Sequence, residues 1–291
     1  MTPLRQKMIN DMKLRRFALG TQKLYVYAVE DLARYYHRSP DLIREEEVHV
    51  YLLYLQEEKK LEWGSCNCMA AGLNFFYKTT LKEKNINFKI PKRKQTRKLP
   101  TIFSRSDLIK LFDATDSLRN RMILTTAYSA GLRVSEVVSL KPEHIESNRK
   151  LIRVEQGKGN KDRYTLLSDK LLKDLKVYWK RYHPKEYLFY PTGNPHKPLT
   201  KNMAWKIFNK AKQKAGLKRG KGIHSLRHSF ATHLLEDGVD LYSIKTFLGH
   251  NSISTTMIYL RLTANGIKKI KSPFDRYNKS AIVEVPDGKD I

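Results

Sequence analysis

The chain has 291 residues, long for one hydrophobic core and comfortable for two. Its 41% hydrophobic content excludes a disordered chain, and its net charge of +27 calls for a polyanionic partner. Residues 1–90 carry 15 Lys+Arg against 11 Asp+Glu, whereas residues 91–291 carry 41 against 18, so the later part is the stronger candidate for gripping phosphates.

The N-terminus is basic but has no continuous apolar run, which argues against a secretory leader. No apolar stretch approaches the roughly 20 residues of a membrane span, and the positive charge is spread over too many elements for one amphipathic membrane-binding helix. The chain reads as cytoplasmic. The first part is expected to be helical. A helix around Arg5–Leu19 comes first. Between Thr21 and His37, Leu24, Tyr25, Ala28, Leu32 and Tyr35 recur at three- and four-residue steps, with Thr21 as a candidate cap after Gly20. Val48, Leu52, Leu53 and Leu55 mark a helix over Glu45–Lys60, and Leu73, Phe76 and Tyr77 mark another over Met69–Leu81. The two cysteines, Cys66 and Cys68, are too few and too close for a disulfide framework, and no further metal ligands accompany them.

The pattern breaks from Phe88 to Pro100. Between Pro91 and Pro100 lies Lys92-Arg93-Lys94-Gln95-Thr96-Arg97-Lys98, in which five of seven residues are basic. This is a linker composition, and in a DNA-binding chain it is suited to tracking a phosphate backbone. Helices are expected over Ser104–Ala114 and Ser117–Ala130. Ile145, Leu151, Ile152, Val154, Tyr164, Thr165 and Leu166 then form short strand-like runs, broken at Ser147-Asn148 and Gly157-Lys158-Gly159-Asn160. This predicts a small antiparallel sheet with Lys158 on a strand-joining turn. Helices resume over Asp169–Arg181, Lys201–Ala215, Ser225–Glu236, Leu241–Leu248 and Ser254–Leu260.

Several short motifs in this second part carry chemistry. Arg133 lies in Ala130-Gly131-Leu132-Arg133-Val134-Ser135-Glu136, and His224 and Arg227 lie in His224-Ser225-Leu226-Arg227-His228. His250 closes Leu248-Gly249-His250, and Tyr259 follows nine residues later. Arginine forks suit charge building on phosphate oxygens, because a planar guanidinium holds two of them at once. A tyrosine is a weak nucleophile near neutrality and needs adjacent positive charge or a base. One tyrosine among 16 says little by itself. His224 and His228 have the i, i+4 spacing of a zinc pair, but Ser225 stands where the metalloprotease motif requires Glu, so no metal is expected. The Gly157–Lys161 turn does not match the Walker phosphate loop, which argues against an ATP site. Its lysine is suited instead to protonating a leaving oxygen.

In this order the motifs resemble the tyrosine recombinase (phage integrase) family, over about residues 5–275. The resemblance implies a mainly α fold with a small antiparallel β-sheet: an N-terminal helical, SAM-like core-binding domain plus an α+β catalytic domain, closing as a clamp around DNA. The corresponding boundaries are 1–90 for the helical domain, 91–100 for the basic linker, 101–277 for the catalytic domain and 278–291 for the tail. It further implies that Tyr259 attacks the scissile phosphate to form a 3′-phosphotyrosyl link. Arg133, Arg227 and His250 would hold the non-bridging oxygens, Lys158 would be general acid, His224 would assist proton transfer, and Glu136 would support the arginines. Lys92, Arg93, Lys94, Arg97, Lys98, Lys161 and Arg163 are the expected DNA-backbone contacts. No cofactor is implied, because the bond energy is kept in the phosphotyrosine. The implied partners are double-stranded DNA with specific recombination sites and a homo-tetramer that synapses two of them through a Holliday junction. Both a mobile-element integrase and a Xer-like resolvase of chromosome dimers fit, and a type IB topoisomerase is the rival enzyme class. Arg261 stands where relatives often have His, outside the chemistry. The tail, with Ile267, Ile270 and Phe274 among lysines, suits docking on a neighbouring subunit or local packing.

Overall fold

In the computed structural model, residues 2–83, 86–91, 99–155 and 162–261 are described. The basic linker residues Lys92, Arg93, Lys94, Arg97 and Lys98, the turn residues Lys158 and Lys161, and the tail from residue 262 lie outside them. The chain divides into two compact units, Met1–Arg97 and Lys98–Ile291.

The first unit is helical: α1 (Pro3–Leu14), α2 (Leu19–Tyr36), α3 (Glu45–Glu57) and α4 (Trp63–Phe75). The expected first helix stops early. The chain turns at Arg16, which adopts a φ of 54°, and α2 begins at Leu19 behind Ala18 rather than at Thr21. The break between the two helices therefore falls earlier than the one expected at Gly20. The fourth expected helix starts sooner, at Trp63 rather than Met69, and its last turn widens into a π-helical segment over Phe76–Leu81. Both cysteines lie in α4, Cys66 buried and Cys68 exposed. Helices α2 and α4 pack closely where Gly72 meets the Tyr25 backbone and Ala28; an added Cβ would come within 3.0 Å of both. Met12, Leu32, Val48, Leu55 and Leu73 fill the core.

The second unit places helices around a small sheet. Helices α5 (Arg105–Asp113) and α6 (Leu118–Ser129) begin behind the side-chain caps Ser104 and Ser117, which accept from the Asp107 and Asn120 amides. Next come the single-turn α7 (Val134–Val138), absent from the sequence expectations, and then β1 (Ile145–Glu146), β2 (Leu151–Val154) and β3 (Arg163–Leu166). These pair antiparallel in the order β1-β2-β3, with Ile152 opposite both Ile145 and Thr165. Five helical elements follow: α8 (Asp169–Tyr182), α9 (Lys201–Lys214), α10 (His224–Glu236), α11 (Leu241–Leu248) and α12 (Ile253–Thr256), which tightens into a 3-10 turn over Met257–Arg261. The main core gathers Leu111, Ile123, Val137, Ile152, Phe208 and Leu226. A smaller cluster of Phe230, Ala231, Ile244, Leu248 and Tyr259 anchors the C-terminal helices. No helix among the described residues is long and apolar enough to cross a membrane.

Candidate active site

The motif around Arg133 is a folding instruction as well as a chemical one. Helix α6 ends at Ala130, and Gly131 turns the chain with a φ of 59°, a conformation that favours glycine. A Cβ there would stand 2.3 Å from the Phe230 ring, so α10 can approach only because the position is bare. Leu132 is buried, and Arg133 takes the N-cap position of α7. Glu136, three residues into that helix, reaches back to accept the Arg133 amide at 2.7 Å and its guanidinium at 2.8 Å.

Glu136 is the hub of the site. Besides Arg133 it accepts both terminal nitrogens of Arg163, at 2.8 and 2.7 Å, and lies 3.7 Å from Arg227. Burial pushes the Glu136 carboxyl up, but hydrogen bonds and charge from Arg163, followed by Arg133, overcome it and hold the group at about 2. The same three arginines are gathered a second time by the C-terminus of α11. Its last carbonyls have no partner within the helix. Arg163 Nε donates to Phe247 O at 2.9 Å, Arg227 Nη2 to Leu248 O at 2.5 Å, and Arg133 Nη2 to Gly249 O at 3.2 Å. The negative end of the helix dipole adds to this attraction. Arg227, only 1% exposed, also donates to Gly131 O at 2.8 Å. Burial and the Arg133 charge lower its pKa to about 9, which leaves it charged at neutral pH.

Three guanidiniums facing one carboxylate leave an excess of positive charge, and the remaining groups border it. Tyr259, in the 3-10 turn after α12, is 2% exposed. Burial raises its pKa, while the charges of Arg227 and Arg133 pull it back. Its hydroxyl lies 3.0 Å from His228 Nδ1. His250 follows the Gly249 cap of α11, and its Nδ1 lies 2.9 Å from Thr256 Oγ1, which ties α12 to the end of α11. Burial and then Arg227 and Arg133 depress the His250 pKa to about 3. His224 opens α10 with an exposed side chain; the protein around it and the charges of Arg227 and Arg133 lower its pKa. Its ring meets His228 edge-to-face at 4.7 Å.

The structure thus brings Arg133, His224, Arg227, His250 and Tyr259 into one neighbourhood, with Glu136 beneath the arginines. Lys158 belongs to the segment joining β2 to β3, outside the described residues. Arg163 is a correction to the sequence expectation. Its side chain is 9% exposed with both terminal nitrogens engaged by Glu136, so it organises the site rather than presenting its charge to a DNA backbone. Strand alternation did not reveal this, because its partner is 27 residues away in sequence. In the sequence His228 stands out as the i, i+4 partner of His224 and a neighbour of Arg227, not as a partner of Tyr259. Its contact with Tyr259 depends on the packing of the final turn against α10. Among the described residues, no group of three or more His, Cys, Asp or Glu side chains is placed to hold a metal ion.

Comparison with known proteins agrees with this geometry. Residues 101–265 match the model of the phage integrase family, and residues 4–86 match the phage integrase N-terminal SAM-like domain. A protein of Sinorhizobium fredii provisionally named integrase/recombinase y4qK is 42% identical over 98% of this chain and 93% of its own length. The tyrosine recombinase XerA of Pyrococcus furiosus is 37% identical over 70% of this chain and 72% of its own. In fold, the chain is similar to a lambda integrase solved as a tetramer bound to a Holliday junction, with a TM-score of 0.69 at 18% identity, over 87% of this chain and 76% of that one. The family model spans most of the second unit, the Sinorhizobium relative spans nearly the whole chain, and the described motif residues meet in one cationic site: the protein belongs to the phage integrase family of tyrosine recombinases.

Proposed function

We propose that this protein cleaves and rejoins DNA at specific recombination sites through a 3′-phosphotyrosyl intermediate on Tyr259. The observation that carries the reading is the convergence of Arg133, Arg163 and Arg227 on Glu136, with the Tyr259 phenol held at the edge of that cluster. A phosphodiester resists attack because its own oxygens repel the nucleophile. Two preorganised guanidiniums, from Arg133 and Arg227, offset the charge that builds on the non-bridging oxygens, and His250 adds a third donor. Arg163 stays behind Glu136 and keeps both forks in register. Lys158 is the proposed acid that protonates the departing 5′ oxygen. Attack of a 5′-hydroxyl on the phosphotyrosine reverses the step, so the energy of the broken bond is retained and no external energy source enters the exchange.

In this reading four copies synapse two DNA sites and exchange strands through a Holliday junction in the cytoplasm, as the DNA-bound lambda integrase tetramer of the same fold suggests. The basic linker, residues 91–100, contacts the DNA backbone between the helical and catalytic domains. A mobile-element integrase is the favoured biological role, supported by the Sinorhizobium relative that matches nearly the entire chain. The similarity to XerA supports chromosome dimer resolution as the second reading.

A suicide substrate, nicked so that the cleaved end diffuses away, tests the chemistry. The wild-type chain is expected to accumulate a covalent protein–DNA complex, and Tyr259→Phe to bind the same DNA without forming it. A covalent complex that persists in Tyr259→Phe overturns the assignment. Arg133→Ala is expected to slow cleavage by about 10²–10³-fold with little change in affinity, because many other basic residues share the binding. Relaxation of a supercoiled plasmid that lacks any recombination site would instead favour a type IB topoisomerase.

A further inference from the structure

The recombinase chemistry needs a proton to leave the Tyr259 hydroxyl, and the motif residues already given roles do not touch that oxygen among the contacts described above. The side chain that does is His228, whose Nδ1 lies 3.0 Å from it. We propose that His228 is the general base that takes the phenolic proton as Tyr259 attacks the scissile phosphate, an inference that rests on the recombinase reading above.

The geometry is that of a base fixed before the substrate arrives. His228 sits one turn after His224 on α10, immediately following the buried Arg227, so the helix determines where its ring stands. The His224 ring packs edge-to-face against it at 84°, and the Tyr259 ring lies 5.8 Å away on another side. His250, the other nearby imidazole, has its Nδ1 directed to Thr256 Oγ1 at 2.9 Å. The charged and titratable groups facing His228 are His224 and Arg227 from its own helix, Tyr259 from the 3-10 turn and His250 beyond the end of α11.

These surroundings also set its protonation state. Burial, then His224 and Arg227, lower the His228 pKa to about 4, so the ring is neutral near pH 7. A neutral imidazole with its proton on Nε2 presents Nδ1 as an acceptor, the arrangement that receives a hydrogen bond from a phenol. Tyr259, raised by burial, remains protonated until it reacts. A base this weak would be a poor proton acceptor without substrate. The entering phosphodiester changes that, because its negative charge beside Arg227 offsets the charge that depresses His228 and raises its proton affinity when the base is needed.

The step balances as follows. The Tyr259 O–H bond breaks and its proton goes to His228 Nδ1. The freed oxygen lone pair forms the bond to phosphorus. The bond to the 5′ oxygen breaks with its electron pair, and that oxygen takes a proton from the general acid. In rejoining, a 5′-hydroxyl gives its proton to the deprotonated general acid as it displaces the tyrosine oxygen, and the His228 imidazolium returns its proton to that tyrosine oxygen.

The test is single-turnover cleavage of the suicide substrate by full-length wild-type, His228→Ala and His228→Asn proteins across about pH 5.5–9.5, with DNA affinity and unfolding temperature measured alongside. His228→Ala is expected to cleave about 10²–10⁴-fold more slowly at neutral pH. Its rate should rise roughly tenfold per pH unit as the phenol ionises unaided, whereas the wild-type rate should be nearly flat above neutrality. Added imidazole should restore part of the alanine variant's rate. His228→Asn keeps a hydrogen-bond acceptor but cannot carry the proton, so it should remain slow with the same steep profile. Near-wild-type cleavage by either variant overturns the proposal. In the asparagine case it would assign His228 a positioning role only. The two readings fail separately. A covalent complex in Tyr259→Phe removes the recombinase assignment, whereas fast cleavage by the His228 variants, with Tyr259→Phe inactive, removes this inference alone.

Discussion

Glu136 accepts from Arg133 and Arg163 and lies 3.7 Å from Arg227, so one carboxylate restrains three positive charges that would otherwise repel one another. Removing its charge while keeping its shape should expose how much the site depends on it. Glu136→Gln is expected to destabilise the protein by about 3–5 kcal/mol, because it leaves buried guanidiniums uncompensated. Urea unfolding checks this, and cleavage of the suicide substrate should fall in parallel. The wild-type protein carries a matching pH signature. The folded pKa of Glu136, about 2, lies below that of an ordinary glutamate, so its stabilisation is present above about pH 4.5 and is lost as the pH falls toward 2. Each unit of that depression corresponds to about 1.4 kcal/mol, so the loss is on the order of 3 kcal/mol and should be absent from Glu136→Gln. His228 and His250, held at about 4 and 3, work in the same direction. The folded protein keeps them neutral where the unfolded chain protonates them, so this contribution is full above about pH 6.5 and declines below it.

At the scale of elements, the site is a junction of helix ends. The C-terminus of α11 directs its carbonyls to three arginines, α7 begins on one of those arginines, and α10 supplies another. Two glycines permit this. Gly249 closes α11 with a φ of 61°, and a Cβ there would come within 2.6 Å of the Arg163 side chain that Glu136 holds. Gly131→Ala, which drives a methyl into the Phe230 ring, is expected to cost roughly 2–5 kcal/mol, combining left-handed backbone strain with overpacking. Gly249→Ala is expected to cost less, because a side chain rather than a packed ring must yield, yet to slow cleavage by displacing Arg163. Thermal unfolding and single-turnover cleavage of the two variants separate these effects. Much of this level was legible beforehand. The helices from Ser104 onward and the three strands follow from caps and from period-3.6 and period-2 patterns. The single turn of α7 was not, because five residues are too few to show a period. The break between α1 and α2 was legible but misplaced, expected at Gly20 and found at the turn at Arg16.

For the whole molecule, the asymmetry of charge bears most on DNA binding. The 41 Lys+Arg against 18 Asp+Glu after residue 90 place the excess in the part that carries the catalytic motifs. Several of the internal arginines serve the site, since Arg163 is enclosed by Glu136 and Arg227 is buried, so surface lysines and arginines must supply most of the backbone contacts. If about 6–10 phosphates are neutralised, affinity should fall by about 10³–10⁵ between 50 and 200 mM salt. Fluorescence anisotropy with a labelled duplex over that range provides the slope, and a flat response would show that the charge serves something other than DNA. Arg133→Ala should leave this slope nearly unchanged while lowering cleavage, which separates the reacting groups from the binding field.

The sequence by itself determined the helical first part, the small antiparallel sheet and the motif residues, because caps, periodicity and short motifs are local properties of a chain. It also carried the family resemblance through the order of Arg133, Lys158, His224, Arg227, His250 and Tyr259. Only the tertiary structure decided which side chains meet. It enclosed Arg163 behind Glu136, set three arginines on the last carbonyls of α11, and brought His228 to the Tyr259 hydroxyl. Those pairings join residues 21 to 116 positions apart. Such contacts arise from the packing of whole elements, and spacing along the chain does not encode them.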